Sequence, residues 1–277
     1  GGKILIIDGH AHACGHYHDA QSTINYLKTH QIDKVVLCPG EPDSRKNYSI
    51  PMLSNLFHSP NLGYVFNKII CFVTGIKGTA KHIDEQNSIV GNMAKLYPNE
   101  IIQAYWADPL DDSCIIKLEK NFAIYNFRMV KLHQCWNKFD ASSENFVKIV
   151  QWSTEKHLPI FIHLLSKEQS IKFSKLTNEF LNTTFIVAHM IGFEEMTANS
   201  QNPNIYFDIS APQLISRRRI EKAVKLVGSG KLILGSDAPY GTNNIKINLN
   251  LLDRLSISEQ EKKNIIGNNI SKLLGIL

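Results

Sequence analysis

Eight short apolar runs, separated by amphipathic stretches, are the feature that most restricts the fold of this chain. Runs that are apolar almost throughout are typical of strands buried on both faces, and their alternation with helices predicts a parallel sheet. The predicted strands cover residues 3–8, 34–38, 101–106, 123–132, 159–164, 184–189, 204–209 and 231–235. An open doubly wound sheet would place a glycine-rich phosphate turn after its first strand, and none follows Asp8. Eight such strands predict a closed barrel.

The length of the chain fits one such barrel. It has 277 residues, and a (β/α)8 barrel typically takes about 250. We therefore expect a single (β/α)8 TIM barrel over residues 1–277, an α/β fold, with a helical insertion after strand 2 at about residues 39–98. Two helices are expected within the insertion, at 53–73 and 82–96. Long insertions on a barrel usually form lids or the walls of a substrate pocket.

Net charge, hydropathy and cysteine content limit the classes of binding partner and the cellular compartment that we expect for this protein. A net charge of +5 without a long basic stripe argues against nucleic-acid binding. No apolar run reaches the ~18 residues of a membrane span, and no secretory signal is recognised. The five cysteines are odd in number and include no Cys-x-x-Cys pair, which favours a reduced, cytoplasmic protein. We expect a small-molecule substrate, no nucleic acid, no membrane, and leave a homodimer open.

Residue types that bind metals occur where the predicted strands end. They are His10 and His12 after the first strand, Lys131 and His133 on the fourth, His163 and His189 on the fifth and sixth, and Asp237 after the eighth. A parallel barrel gathers these strand ends around one pocket, and two side chains two residues apart face the same way. Surface histidines, satisfied core histidines and a helix cap at Asp237 are the alternative interpretations.

These segments resemble the amidohydrolase superfamily, specifically the amidohydrolase-2 branch that includes aminocarboxymuconate semialdehyde decarboxylase. The resemblance runs along the barrel, and its most specific part is the Gly-Ser-Asp-Ala-Pro-Tyr segment around Asp237. The other similar segments are residues 7–12, 106–109, 130–133, 159–163, 187–189, 205–210 and 269–274. Cys14, which follows the His-x-His, departs from the pattern, and no function is assigned to the insertion after strand two.

The resemblance implies roles for individual residues. One divalent metal, usually zinc, would be held by His10, His12, His163 and Asp237. His189 would activate the attacking water or stabilise the reacting group, and Asp237 would accept a proton. The remaining residues expected at the substrate are Lys131, His133 and Tyr240. In other branches a lysine on strand four is carbamylated and bridges two metals; here an unmodified lysine is expected, with His133 as a substrate contact or second-metal candidate.

The expected activity is that of a metal-dependent hydrolase. A divalent ion lowers the pKa of a bound water toward ~7, which permits attack on an amide, lactone or ester at neutral pH. The same residues would serve a non-oxidative decarboxylase or hydratase of a small carboxylated substrate, and the sequence does not separate the two. A phosphate-ester activity stays open. A non-catalytic barrel is disfavoured, because each expected ligand type is present.

Overall fold

Eight parallel strands form the centre of the computed structural model, which describes residues 4–276. In chain order they are β1 Ile7–His12, β2 Lys34–Cys38, β3 Ile101–Trp106, β4 Met129–His133, β5 Ile160–His163, β6 Phe185–Val187, β7 Ile205–Asp208 and β8 Leu232–Ile233. Each strand pairs with its neighbours in sequence. The amide of Gly9 donates to the Leu234 carbonyl at 3.0 Å, and Ala11 forms a parallel bridge with Ala238. The barrel is therefore nearly closed, which confirms the expected TIM-barrel fold.

Helices surround the barrel and follow each strand. They are α1 Ala20–His30, α2 Leu62–Lys77, α3 Ile83–Leu96, α4 Cys114–Tyr125, α5 Glu144–Glu155, α6 Lys167–Thr177, α7 Phe193–Asn199, α8 Arg217–Val227, α9 Asn244–Leu252, α10 Glu259–Lys263 and α11 Asn269–Leu274. Both α2 and α3 lie between β2 and β3. Within residues 4–276, no helix combines the length and apolarity that crossing a bilayer requires.

Local signals in the sequence explain several helix ends. Asp19, Ser166 and Ser216 each accept a hydrogen bond from a backbone amide in the first turn of the helix that follows, and Ser258 forms a capping box with Glu261. Gly267, in contrast, does not end a helix. It lies in a π-helical turn, Asn264–Asn268, where a Cβ would collide with the Leu5 carbonyl oxygen. This glycine permits close packing of the turn against the start of the barrel.

Some predicted boundaries were wrong. The first strand extends through both histidines of the His-x-His, while its predicted start at Lys3 lies outside the described residues. The predicted fourth strand begins too early, because residues 123–125 end α4 and Asn126 turns the chain with φ 48°. The predicted helix at 53–73 is a 3-10 turn, Leu53–Asn55, followed by α2, and Pro60 lies between them. The sixth and eighth strands end before His189 and before residue 235.

Alternation along each strand divides the core into two layers. On β4, Val130 and Leu132 pack toward the surrounding helices, whereas Met129 packs inside the barrel. On β5, Ile160 and Ile162 pack outward and Phe161 inward. Successive side chains on a strand point to opposite faces. The inner positions that continue these two strands are Lys131, His133 and His163, so the pleat itself turns these polar side chains into the barrel.

Candidate functional site

The carboxyl ends of the strands surround one cavity of about 290 Å³. The sequence-predicted residues that line it are His12, His133, His163, His189, Asp237 and Tyr240. His10 and Lys131 lie beneath this lining, 3% and 1% exposed. The structure thus brings the predicted residues to one place.

Three imidazole nitrogens lie close to the Asp237 carboxylate. Its Oδ1 is 3.6 Å from His10 Nε2 and 3.3 Å from His12 Nε2, and its Oδ2 is 3.6 Å from His189 Nε2. These distances exceed those of strong charge-assisted hydrogen bonds, which are about 2.7–2.9 Å. The nitrogen and oxygen atoms therefore face a common space but are too far apart for strong hydrogen bonds to one another.

A serine and a carboxylate determine which nitrogen of two histidines carries the proton. Ser210 Oγ donates to Asp208 Oδ2 at 2.5 Å, and lies 3.1 Å from His10 Nδ1 and 3.0 Å from His189 Nδ1. Because the hydroxyl proton is given to Asp208, the serine oxygen accepts from both Nδ1–H groups. The Nε2 lone pairs of His10 and His189 then lie on the side of Asp237, and that of His10 is also 2.9 Å from the Lys131 amine.

The third histidine near Asp237 is held in the same tautomer. His12 Nδ1 lies 2.8 Å from the Pro39 carbonyl oxygen, which can only accept, so Nδ1 carries the proton. Its Nε2 therefore faces the Asp237 carboxylate, either protonated as a donor or, in the neutral ring, with a lone pair for a cation. Three nitrogen lone pairs and a carboxylate facing one another repel unless a cation or proton lies between them. This donor set fits a divalent metal that accepts imidazole and carboxylate ligands.

Within the described chain, ligand atoms of three residue groups come within 4.8 Å of one another: His10, His12 and Cys38; His133, Cys135 and His163; and His10, His189 and Asp208. None of these groups includes Asp237. In the third, Ser210 already bridges the two imidazoles and Asp208. In the second, the two imidazole planes are stacked 3.9 Å apart at 10°, so their in-plane lone pairs run parallel and do not meet at one ion. The donor geometry therefore favours the space at Asp237.

Helix α2 fixes His163, whose ring lies 5.1 Å from that of His189. Asn67 donates through its amide to the carbonyls of Leu164 and Leu165, at 2.8 and 2.7 Å. Its Oδ1 lies 2.7 Å from His163 Nε2 and accepts a proton from it. The free lone pair of His163 is consequently on Nδ1. His133 accepts the Cys135 amide on Nδ1 at 3.1 Å, so its Nε2 carries a proton and can donate to a substrate.

Asp8, at the inner end of β1, organises the segment that leads to Asp237. Ser236 donates to it twice, from its amide at 2.8 Å and from its hydroxyl at 2.6 Å. The Tyr17 hydroxyl donates to the same carboxylate at 3.0 Å. The carboxylate is fully buried. Its hydrogen bonds thus join the start of β1 to the chain after β8 and set the position of Asp237.

Two of the candidate residues have a left-handed backbone. His189 has φ 55° within the turn Ala188–Met190, and Asp237 also has φ 55°. This region is uncommon for residues with a Cβ and costs on the order of 1 kcal/mol each. Neither conformation had a signal in the sequence.

Burial dominates the electrostatics of the site. Burial raises the pKa of Asp208 to about 7 and that of Asp8 to about 6. Burial also lowers the pKa of His189 to about 4 and moves the pKa of Lys131 below its ordinary value. His12 is the exception: burial opposes its charged form, yet Cys38 and Asp237 raise its pKa to about 10. Positive charge is therefore favoured beside His12 and Asp237.

Sequence reasoning gave no role to Asp208, Ser210 or Asn67. The first two could have been found by the rule that identified the histidines, since they follow an apolar run at the end of β7. Asn67 lies in the middle of α2, and nothing in the sequence around it indicates a contact with His163. Its contact depends on how α2 is placed over the barrel.

A (β/α)8 barrel with polar side chains collected at the carboxyl ends of its strands has the architecture of TIM-barrel enzymes. The amidohydrolase-2 family model, described as amidohydrolase, matches residues 73–276. The chain belongs to this family, which confirms the resemblance seen in the sequence. A comparison with curated proteins gives no match.

Solved structures share the fold at low sequence identity. One is 4-oxalomesaconate hydratase from Rhodopseudomonas palustris, with TM-score 0.65, 14% identity, and 98% of this chain and 96% of that chain covered. A second is 5-carboxyvanillate decarboxylase from Sphingomonas paucimobilis, with TM-score 0.68, 10% identity, and 99% and 100% covered. A third is described as a probable 2-pyrone-4,6-dicarboxylic acid hydrolase from Acinetobacter baumannii, with TM-score 0.66, 14% identity, and 98% and 100% covered. At these identities the likeness is one of fold.

Proposed function

We propose that this protein is a metal-dependent hydrolase of amide, lactone or ester bonds that uses one divalent ion, most simply Zn²⁺. The ligands would be His10, His12, His163 and Asp237. One observation carries the proposal: His10 and His12 direct Nε2 toward the Asp237 carboxylate, and the His163 ring lies 5.1 Å from that of His189, whose Nε2 faces the same carboxylate. Structural and catalytic zinc ions take such nitrogen and oxygen ligands. When bound, the ion would acidify a water molecule and polarise the substrate carbonyl.

The chain itself supplies the proton transfers. Asp237 accepts the proton of the attacking water on its carboxylate. His189 Nε2, which lies 3.6 Å from Asp237 Oδ2, receives the proton and delivers it to the leaving group. Ser210 keeps His189 Nδ1 protonated, so that Nε2 is the basic atom throughout. Burial, which lowers the pKa of His189 to about 4, keeps its imidazole neutral at pH 7 and makes the protonated ring a strong proton donor to the leaving group.

Lys131 is assigned to the substrate as an unmodified amine. Its Nζ lies 2.9 Å from His10 Nε2 and 4.2 Å from the centre of the Phe161 ring. The Nε2 lone pair of His10 can accept a hydrogen bond from Lys131 or bind an ion, but not both. A bound ion would therefore release Lys131 to contact the substrate. Stacking of His133 on His163 disfavours a second ion beside them. His133 Nε2–H and the Tyr240 hydroxyl complete the groups assigned to the substrate.

Metal content tests the proposal most directly. Protein purified without chelator and supplemented with zinc or manganese should contain about one ion per chain by elemental analysis. A panel of lactones, esters and amides should then show turnover that a chelator abolishes and zinc restores. Metal below about a tenth of an ion per chain would contradict the ligand set. Release of CO₂ from a carboxylated aromatic, without hydrolysis of the panel, would instead identify a decarboxylase at the same site.

A further inference from the structure

The cavity beyond the candidate metal centre has an apolar wall. Helix α2 contributes one side of it and the chain after β4, β6 and β7 contributes the other. The hydrocarbon side chains in this wall include Phe66, Ile70, Val73, Trp136, Ile191 and Leu214. A volume of about 290 Å³ suits a small molecule, since ligand pockets start at roughly 300 Å³.

The charges at the outer end of this cavity cancel. Among the described residues that line the cavity, Lys77 is the only lysine or arginine. Its Nζ lies 3.1 Å from Glu41 Oε2. The hydroxyls of Tyr48 and Tyr240 also donate to Glu41, at 2.9 and 3.2 Å. Lys77 is thus neutralised and Glu41 is satisfied, so this end of the cavity offers no unpaired cation to an anionic group.

We infer that the substrate carries an uncharged, apolar body, so that its class is an ester, lactone or amide with a hydrocarbon side chain or ring. The inference rests on the proposed function for the bond that is cleaved, and adds what lies beyond that bond. A carboxylate at the far end of the substrate would have to separate Lys77 from Glu41 or lose its hydration against hydrocarbon, and both are unfavourable. A methylene group in the same place gains free energy from burial.

The preference of the cavity for an uncharged, apolar group can be tested by binding measurements alone, with a matched series of acids. Unbranched monocarboxylic acids of increasing length are compared with α,ω-dicarboxylic acids of the same length, using the metal-supplemented protein and isothermal calorimetry. Both series place one carboxylate at the histidines and differ only at the far end. The monoacids should bind about fourfold tighter per added methylene until the cavity is filled. Each diacid should bind at least about tenfold more weakly than its monoacid.

Two lysine substitutions on α2 provide a matched pair. Val73 lines the cavity and is 40% exposed, whereas Val65 is 57% exposed and does not line it. Val73→Lys should remove the dependence on chain length and bring the diacids to within about twofold of the monoacids. Val65→Lys should leave both series unchanged. Glu41→Gln should also favour the diacids, because it frees the Lys77 ammonium.

The results separate this inference from the proposed function. Diacids that bind as tightly as monoacids, or affinities that do not rise with length, overturn the apolar substrate class, and so does the absence of binding by either series. A monoacid preference with no hydrolysis of any ester, lactone or amide would leave the ligand class standing and reject the hydrolase. Hydrolysis confined to substrates with a terminal carboxylate would support the hydrolase and reject the apolar substrate class.

Discussion

The two sides of the barrel mouth hold their histidines by different means. Near β1, β6 and β7, the imidazoles of His10 and His189 are hydrogen-bonded to Ser210, which donates to Asp208. Near β4 and β5, aromatic stacking replaces this network. His133 lies parallel to Trp106, at 5.6 Å and 3°, and to His163, at 3.9 Å and 10°.

The two arrangements differ in how far they fix the tautomer and the orientation of each imidazole. Hydrogen bonds to a buried carboxylate set both the tautomer and the direction of an imidazole, and the removal of one partner leaves buried polar groups unsatisfied at about 1–3 kcal/mol each. Stacking sets the plane of a ring but not its tautomer, which on this side depends on one hydrogen bond per imidazole, from the Cys135 amide to His133 and between Asn67 and His163. The hydrogen-bonded side is therefore suited to positioning an ion, and the stacked side is suited to shaping the pocket. On the second side, a single amide, Asn67, fixes the tautomer of His163.

The largest expected effect separates ligands from proton carriers on the hydrogen-bonded side. His12→Ala should lower metal affinity by about a hundredfold or more and abolish turnover, because it removes a lone pair from the set around Asp237. His189→Ala should retain the metal and lose turnover. Elemental analysis and initial rates on the same preparations make the comparison. A metal-free His189→Ala protein would show that His189 is a ligand.

Asp208→Asn should have the next largest effect, about 10- to 100-fold on metal affinity and turnover. The asparagine amide can donate to Ser210, so the serine hydroxyl no longer has a fixed acceptor. The Nδ1–H groups of His10 and His189 then no longer have the Ser210 oxygen as a fixed acceptor. Metal titration and a kcat measurement test this. Asp111→Asn, in the surface pair with Lys117, serves as the control and should change neither quantity. Equal behaviour of the two variants would remove Asp208 from the positioning network.

On the stacked side, Asn67→Ala should lower turnover by only about tenfold, since the His163 ring stays in its stack while its tautomer is released. Asn67→Asp keeps an acceptor for His163 Nε2 and should recover part of the loss. Steady-state kinetics with metal content measured in parallel provide the test. If Asn67→Ala is as damaging as Asp208→Asn, the contrast between the two sides fails.

The smallest effect is expected for Trp106→Phe. The variant keeps a ring against His133 but loses the indole N–H, which donates to Asn137 Oδ1 at 2.8 Å. Unfolding by denaturant should show a loss of about 1–3 kcal/mol, from the amide left unpaired and the reduced ring. Metal content should not change. A drop in metal content would mean that the stack also positions the ligands.

Much of this site follows from short-range patterns. The apolar runs predict the strands, and the pleat then predicts that Lys131 and His133 share the inner face, which is how the structure has them. What the sequence does not reveal depends on distant contacts. Asn67 meets His163 only because α2 crosses the mouth. Likewise, Asp8 and Ser236 are far apart in the chain, and their hydrogen bonds arise from closure of the barrel. The roles of the predicted ligands stay predictions.

The left-handed backbone at His189 and Asp237 has a consequence for how this enzyme could change during evolution. β-branched and bulky residues are strained at such positions, and glycine, asparagine and aspartate are tolerated best. A substitution there must satisfy the backbone and the chemistry together, so few single-base changes survive. The wall on α2 has no such restriction at Val73. We therefore expect adaptation to new substrates to be easier through this helix than at His189 or Asp237.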